Sequence, residues 1–362
     1  MSDQLADSAE RLFASQVSKT VLQAADGGHW PAALWAAVED TGYTAALLPE
    51  ESGGFGASAA EAFGLVRVAA AHAAPIPLAE TMLAGWLLAR AGLPVPAGIL
   101  TVAPVRRGPL ALSGTGQGDA WHLAGTAARV PWGRQAAAIA VVAEGPEGPM
   151  VACVPAGSFA VAEGRSVANE PRDALTFDGP VTAGRSPISP EQLRAAGASL
   201  RTAQMAGALS RILAVCVAYV QTRVQFGRPI GKFQAIQQNM AVLAGQAAAA
   251  GAAADLAADA FAAGLDPFVV GAAKARAGEA ASIVAGLAHQ VHGAIGFTQE
   301  YELHHLTRRL WAWRDEFGNE AEWNALVGRG ALAAGADGLW AKITDTMVTD
   351  AMITGAMITD AA

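Results

Sequence analysis

The sequence is short of the residue types that several classes of protein require. Its 362 residues include only two cysteines, Cys153 and Cys216, which is too few for a disulfide framework or a cysteine-based zinc site. Charged residues make up 15% of the chain and the formal net charge is −8. A nucleic-acid groove needs clustered Lys and Arg, so nucleic acid is not an expected partner. Aromatic residues are also scarce, at 6%.

The sequence also lacks an evident secretory signal or membrane span. Its first residues, MSDQLADSAERLF, are polar and contain no apolar core of a signal peptide. The longest apolar tract, residues 240–264, is rich in Ala and is interrupted by Gln246, Asp255 and Asp259. We therefore expect a cytoplasmic protein without a membrane span, in which such tracts form buried helices.

Much of the 52% hydrophobic content is Ala, the strongest helix former. Helical patterns fill residues 1–98 and 186–340, and the second region contains four long stretches at 190–225, 233–263, 267–292 and 299–336. Residues 99–185 instead contain short β-like runs separated by Gly and Pro. The pattern predicts a mainly α fold with a central β domain. Residues 341–362 form a tail, expected to be mobile, in which 347–361 repeat as MVTDA-MITGA-MITDA.

Four short segments carry a resemblance to a known family. They are residues 42–56 (GYTAALLPEESGGFG), 223–234 (RVQFGRPIGKFQ), 290–297 (QVHGAIGF) and 300–320, which contain EY, RR and DEFGNE. In order, they resemble the PEE-x-GG-x-G, R-x-x-F-G-x-x-I-x-x-F-Q, Q-x-x-G-G-x-G-[FY] and E-Y-P…R-D-A…Y-E-G-T segments of acyl-CoA dehydrogenases. The resemblance spans nearly the whole chain. It implies an N-terminal helical domain, a β-barrel-like middle domain and a C-terminal four-helix bundle.

The second segment is chemically suited to an anionic cofactor. Arg223 follows a long helical stretch, and its planar guanidinium can grip a pyrophosphate through paired, charge-assisted hydrogen bonds. Phe226 offers a flat apolar face, and Gln234 offers an amide at the start of the next helix. The resemblance implies that these residues bind the FAD of a neighbouring subunit in a homo- or hetero-oligomer. The alternative is that Arg223 only interacts favourably with a helix C-terminus.

The third segment adds three candidate cofactor residues, Gln290, Gly293 and Ala294. A glycine permits a sharp turn or a close approach of backbone to ligand, and Ala294 stands where the family has a second Gly. The alternative is a helix–helix turn that binds no ligand. The nearby His289 and His292, like His304 and His305, are expected to pack or form hydrogen bonds, and we expect no metal site.

Glu316 is the candidate catalytic base. Acyl-CoA dehydrogenation needs a carboxylate to remove the Cα proton, and matching glutamate to glutamate in the Y-E-G-T motif selects Glu316. A shift of one residue selects Asp315, and the opposite shift selects Phe317 and leaves no base. The helical region from which some family members take the base, residues 197–200, holds no carboxylate. The alternative is that Glu316 is solvated or salt-bridged, with Arg314 as the nearest cation.

The β region departs most from the family. Residues 100–108, LTVAPVRRG, stand where the family has a T-E-P-x-x-G-S-D loop that contacts the flavin, and they lack that signature. Two functions follow from the resemblance. The chain could itself oxidise an acyl-CoA to the trans-2-enoyl-CoA and pass electrons to an electron-accepting flavoprotein. It could instead be a non-catalytic subunit of a heteromeric enzyme, supplying Arg223 and the Gln290 loop to a cofactor held by another chain.

Overall fold

The structure, a computed structural model, describes residues 2–103, 110–113 and 121–347. The predicted five-residue repeat, apart from its first residue Met347, lies outside the described residues, as do residues 104–108 of the expected flavin loop. Within the described residues, the predicted class is confirmed: a central β domain lies between two helical parts.

Five helices form the N-terminal part: α1 (Ser2–Gln16), α2 (Lys19–Asp26), α3 (Ala32–Asp40), α4 (Ala59–Ala71) and α5 (Leu78–Arg90). α4 begins at a capping box, in which the Ser58 hydroxyl accepts a hydrogen bond from the N–H of Glu61 and the Glu61 carboxylate accepts one from the N–H of Ser58. α5 is buried on every face from Leu78 to Leu88. Because it is enclosed, its one acidic residue, Glu80, lies in the interior and requires a partner there.

In the middle part, the described residues form seven strands: β1 (Leu100–Val102), β2 (Ala111–Ser113), β3 (Trp121–Pro131), β4 (Ala138–Gly145), β5 (Gly148–Pro155), β6 (Phe159–Ala162) and β7 (Arg172–Arg185). β4 pairs with β5, β5 with β7, β7 with β3 and β3 with β2, and β2 returns to β4 through Ala111 and Glu144. The pairings therefore close a ring, as in a barrel. Leu123, Ile139 and Phe177 are among the side chains of its core.

The C-terminal part contains α6 (Pro190–Thr222), the short hairpin of β8 (Val224–Gln225) and β9 (Arg228–Pro229), α7 (Gln234–Ala262), α8 (Pro267–His292), α9 (Leu303–Asp315) and α10 (Glu320–Met347). The last stretch, predicted as one helix over 299–336, is divided between α9 and α10. The physical reason is local, since Phe317 and Gly318 have φ values of 55° and 105°. Left-handed conformations of this kind interrupt a helix, and Gly335, with a φ of 69°, likewise kinks α10.

Two of these helices, α6 and α7, are long and apolar enough to cross a membrane by length and composition alone. Helices of this kind also form the cores of helical proteins, and α6 is mostly buried among other helices. Its buried face includes Leu200, Met205 and Leu209 in the two helical cores. Two such helices are weak evidence for a membrane span, although the apolar stretch of α7, unlike that of α6, is mostly not buried.

Candidate functional site

The hairpin after α6 presents Arg223 and Phe226 at the surface. The N–H of Arg223 still donates to the carbonyl of Tyr219 at 2.9 Å, but its ψ of 117° ends the helix. Phe226, at the turn, has a φ of 51° and a side chain that is 91% exposed. Its ring contacts the ring of Phe233 edge-on, with centroids 6.1 Å apart. The guanidinium of Arg228 lies over the Phe233 ring, 4.3 Å from its centroid. An unusual backbone conformation thus holds an exposed aromatic ring, a combination common at binding sites.

A groove of about 420 Å³ separates this hairpin from the end of α8. The residues lining it include five of the predicted cofactor residues: Arg223, Phe226, Gln290, Gly293 and Ala294. The sixth, Gln234, is an exposed residue at the start of α7 and is not among the lining residues. The fold therefore brings together two segments that are distant in sequence.

The loop after α8 is fixed by contacts of His292 and is open to the groove at Gly293. Gly293 has a φ of 64°, and no atom lies within 4 Å of the place where a Cβ would stand. The preceding His292 is buried, stacks on Tyr219 with centroids 4.2 Å apart, and lies 3.0 Å from the hydroxyl of Tyr301 through Nε2. Ala294 is exposed beside it and lines the groove. The backbone at Gly293 is thus fixed in position and accessible to a ligand.

A second, larger cavity of about 1390 Å³ shares Gln290 and Gly293 with the groove. It lies against α8 and α9 and reaches the end of α2. His289 lines it, stacked on Phe297 with centroids 4.2 Å apart, and burial lowers the pKa of His289. The groove and this larger cavity, called the cleft below, therefore meet at Gln290 and Gly293, which line both.

Glu316, the predicted base, is enclosed by two arginines. Its Oε1 accepts a hydrogen bond from Nε of Arg172 at 2.6 Å, and its Oε2 accepts one from Nε of Arg201 at 2.8 Å. Its side chain is only 9% exposed. Burial alone would raise the pKa of Glu316, but the charges of Arg172 and Arg201 lower it to about 2. Glu316 is therefore ionised at neutral pH, with both oxygens engaged.

The ion pairs continue on both sides of Glu316. Arg201 also donates to Glu80 at 2.6 Å, and Arg172 also donates to Glu170 at 3.2 Å, which in turn accepts from Arg309 at 2.9 Å. We call these six residues the buried ionic network: Glu80, Glu170, Arg172, Arg201, Arg309 and Glu316. Three positive and three negative charges balance within it. Its members come from α5, the segment before β7, β7 itself, α6, α9 and the loop after α9, so the network joins all three parts of the fold.

Phe317 fills the space next to Glu316. Its ring lies against Gly197 of α6 so closely that a Cβ added at Gly197 would overlap it. Between α5, α6 and Phe317 only a cavity of about 10 Å³ remains, lined by Glu80, Arg201 and apolar neighbours. That volume holds no more than a single water molecule. Gly197 and Leu200, within the alternative source of a base, therefore face a filled space.

The loop that carries Glu316 is also fixed through its backbone. The ammonium of Lys274, buried in α8, donates to the carbonyl of Arg314 at 2.7 Å and to that of Gly318 at 2.9 Å. Burial lowers the pKa of Lys274 to about 7. Asp315, the alternative base, is exposed and lies between these two anchor points. The position of Glu316 is thus determined by contacts on both sides of it in sequence.

Sequence reasoning identified Glu316 but did not identify its partners. Arg314, the expected nearest cation, instead donates to Glu320 at 2.6 Å. Arg172, Arg201 and Glu80 were overlooked. A usable signal was present, since Glu80 and Arg201 each stand alone within an apolar helical run, where a charge requires a buried partner of opposite sign.

The four histidines near the groove mostly form the expected hydrogen bonds. His289 contacts the hydroxyl of Thr307 at 2.9 Å through Nε2, and His304 contacts the carbonyl of Tyr301 at 2.7 Å through Nδ1. Nδ1 of His289 and Nδ1 of His305 are both buried and have no hydrogen-bond partner among the described residues.

Comparison with known proteins gives matches along most of the chain. The family described as acyl-CoA dehydrogenase, N-terminal domain, matches residues 2–94, and the family described as acyl-CoA dehydrogenase, C-terminal domain, matches residues 197–332. The acyl-CoA dehydrogenase FadE27 of Mycobacterium tuberculosis is 33% identical over 230 residues, which are 58% of this chain and 61% of that protein. The chain therefore matches less than two thirds of the length of that relative.

Two solved structures are similar over nearly their whole lengths. A variant of the Tcur3481-Tcur3483 steroid ACAD has a TM-score of 0.84 and 26% identity, with 93% of this chain and 98% of that chain covered. The ChsE4-ChsE5 complex from Mycobacterium tuberculosis has a TM-score of 0.81 and 27% identity, with 92% and 97% covered.

Proposed function

The chain belongs to the acyl-CoA dehydrogenase family, and we propose that it completes the FAD site of a heteromeric member whose base lies on another chain. The reaction proposed for the assembled enzyme is α,β-dehydrogenation of an acyl-CoA thioester to the trans-2-enoyl-CoA. Electrons would then pass to an electron-accepting flavoprotein. One observation carries this proposal: Glu316 is bound by Arg172 and Arg201, whereas the groove beside Arg223 is open.

The residues of the groove fit the cofactor. FAD, when bound, supplies the acceptor for the hydride that leaves Cβ of the substrate. Arg223 can pair with a pyrophosphate, and Phe226 offers an apolar face beside it. Gln290 contributes an amide, and the open backbone at Gly293 permits close approach. Gln234, the remaining predicted cofactor residue, stays a candidate for the outer end of the site.

The surroundings of Glu316 do not fit an acyl group in the way that the groove fits FAD. A base must reach Cα of the thioester within hydrogen-bonding distance, and its pKa should lie near the working pH. Glu316 has a pKa of about 2, and the ring of Phe317, the next residue, packs against Gly197. A carboxylate held by two guanidinium groups is a weak proton acceptor. These features support a role in which Glu316 stabilises the fold.

A chain that is catalytically complete is the second candidate. It is favoured by the place of Glu316, in the loop between α9 and α10 that corresponds to the family's Y-E-G-T motif, and by its ionised state. In this case Glu316 would have to leave Arg172 and Arg201 when substrate binds, with Asp315 as the alternative base. The two candidates differ in what the isolated chain can do.

The two candidate functions can be distinguished by purifying the chain alone and together with a co-purifying homologous chain. We expect the isolated chain to retain little flavin absorbance after dialysis and to show no acyl-CoA-dependent dye reduction. The two-chain preparation should have both. Stoichiometric flavin and turnover by the isolated chain, lost in Glu316→Gln, would overturn the proposal in favour of the second candidate.

A further inference from the structure

Three potential metal ligands converge on the wall of the larger cleft, where α2 ends and α9 begins. Oδ2 of Asp26 lies 3.4 Å from Nδ1 of His305 and 3.9 Å from Nε2 of His304. One donor atom from each of the three lies within 4.8 Å of the others. Around a tetrahedral ion with bonds of about 2.0–2.1 Å, ligand atoms lie about 3.4 Å apart. We propose that Asp26, His304 and His305 bind a first-row divalent cation of the Zn²⁺ type.

The buried nitrogen of His305 is an independent indication of a ligand. His305 is 3% exposed, and its Nδ1 has no hydrogen-bond partner among the described residues although it is directed toward Asp26. Leaving a polar atom buried and unpaired costs roughly 1–3 kcal/mol, so such atoms usually have a partner. A cation between His305 and Asp26 would provide one.

His304 is oriented as metal-binding histidines usually are. Its Nδ1 donates to the backbone carbonyl of Tyr301 at 2.7 Å, which assigns the proton to Nδ1. The lone pair of Nε2 is then directed to the side of Asp26. A hydrogen bond from one ring nitrogen to a backbone carbonyl, with the other nitrogen free to coordinate, is the common second contact of a metal-binding imidazole.

Arg308 is the competing cation. Its Nη1 lies 3.2 Å from Oδ2 of Asp26, and its Nε donates to the carbonyl of Val167 at 2.8 Å. A metal ion that binds Asp26 must displace Arg308 from its carboxylate. The Arg308 side chain is partly exposed and lines the cleft, so it can turn toward solvent without entering the core. Arg308 therefore reduces affinity for the ion and does not close the site.

The ligand set determines which ions fit. Two imidazoles and one carboxylate suit Zn²⁺ and its first-row neighbours, whereas Mg²⁺ and Ca²⁺ prefer oxygen ligands. Three protein ligands leave one coordination position open, and both His304 and His305 line the cleft, so that position faces the cleft. This assignment departs from the sequence-based expectation of no metal, and it is independent of the proposed role in FAD binding.

The test uses the full-length chain freed of metal with a chelator. Zn²⁺ binding is measured by titration calorimetry, and Co²⁺ substitution is followed by its visible absorption, with Mg²⁺ as a negative probe. We expect one Zn²⁺ per chain, with affinity reduced at least roughly tenfold in Asp26→Asn and in His304→Gln. Arg308→Gln should bind more tightly than the wild type, because it removes the competing charge.

His122→Gln is the matched control. Nε2 of His122 lies 2.8 Å from Oδ1 of Asp178, so it forms an exposed His–Asp pair, and no third His, Cys, Asp or Glu ligand lies with it among the described residues. Binding should be unchanged in this variant. Failure of the wild type to bind Zn²⁺, or equal binding by wild type, Asp26→Asn and His304→Gln, would overturn the assignment. A Zn²⁺-dependent rise in the melting temperature, present in wild type and absent in His304→Gln, provides a second readout should a variant be poorly folded.

Discussion

Nε of Arg201 donates a hydrogen bond to Oε2 of Glu316 at 2.8 Å, although the two residues are 115 positions apart in sequence. Arg201 lies in the middle of α6 and Glu316 in the loop after α9. Through Glu80 and Arg172 the same contacts reach α5 and β7. The predicted base is therefore the centre of a charge network that connects the three parts of the fold.

Replacing Glu316 with Gln should destabilise the chain. The amide keeps the shape of the carboxylate but leaves Arg172 and Arg201 buried beside a neutral group. Breaking a buried ion pair typically costs about 3–5 kcal/mol. Denaturant unfolding of the purified variant measures the loss. Asp315→Asn, at the adjacent exposed position, should change the free energy of unfolding much less than Glu316→Gln does.

The same two variants test the assignment of the base. If another chain supplies the base, folded two-chain enzyme containing Glu316→Gln should keep turnover close to that of wild type at a temperature where it remains folded. General-base removal typically lowers the rate roughly 10²–10⁴-fold. A loss of that size in Glu316→Gln, with Asp315→Asn close to wild type, would assign catalysis to Glu316.

Acid should weaken the fold through the same residue. The pKa of Glu316 is lowered to about 2 from an ordinary value near 4.5, so the folded state binds its proton less readily than the unfolded state. The stabilisation is present above the unfolded pKa and is lost as pH falls from about 4.5 to 2. The stability difference between wild type and Glu316→Gln, measured by denaturant unfolding across this range, should shrink steadily. A constant difference would contradict the low pKa.

Arg223→Ala should weaken retention of FAD by the assembled enzyme. Removing the guanidinium leaves a pyrophosphate charge without its partner, which costs on the order of 2–5 kcal/mol where the pair is desolvated. Flavin absorbance after extensive dialysis measures the effect. Arg228→Ala is the control, because Arg228 belongs to the same hairpin and contacts Phe233 but does not line the groove. Equal flavin content in both variants would remove Arg223 from the site.

A substitution at Gly197 should test how tightly Phe317 is packed. Gly197→Ala places a methyl group in the Phe317 ring, and overpacking of this kind costs about 1–3 kcal/mol. Gly245→Ala in α7 is the matched control, since no atom lies within 4 Å of its Cβ position and Ala is the better helix former by about 0.5–1 kcal/mol. The two variants should therefore change the melting temperature in opposite directions. A rise in both would mean that Phe317 is displaced at little cost.

The features that sequence predicted correctly are local ones. A helix break was expected in the segment that contains Pro229, and the helix ends at Arg223; the open backbone at Gly293 follows from the residue type itself. Glu316 was selected as the candidate base by matching one short motif, Y-E-G-T, and it lies in the loop after α9. Its ion pairs could not be obtained this way, because Arg172 and Arg201 are 144 and 115 residues distant and no local pattern specifies which charges meet. The division of the last helix was missed because φ above zero is unusual at a Phe.

The contact between Gly197 and Phe317 restricts how this chain can change over evolution. A carboxylate introduced at position 197 would collide with the ring of Phe317, and a small residue at 317 alone would leave a void beside Arg201 and Glu80. Neither step is favourable without the other, so the two positions should covary among homologous sequences. A chain with this contact cannot gain an acid–base group at position 197 by one substitution, because the change at Phe317 must accompany it.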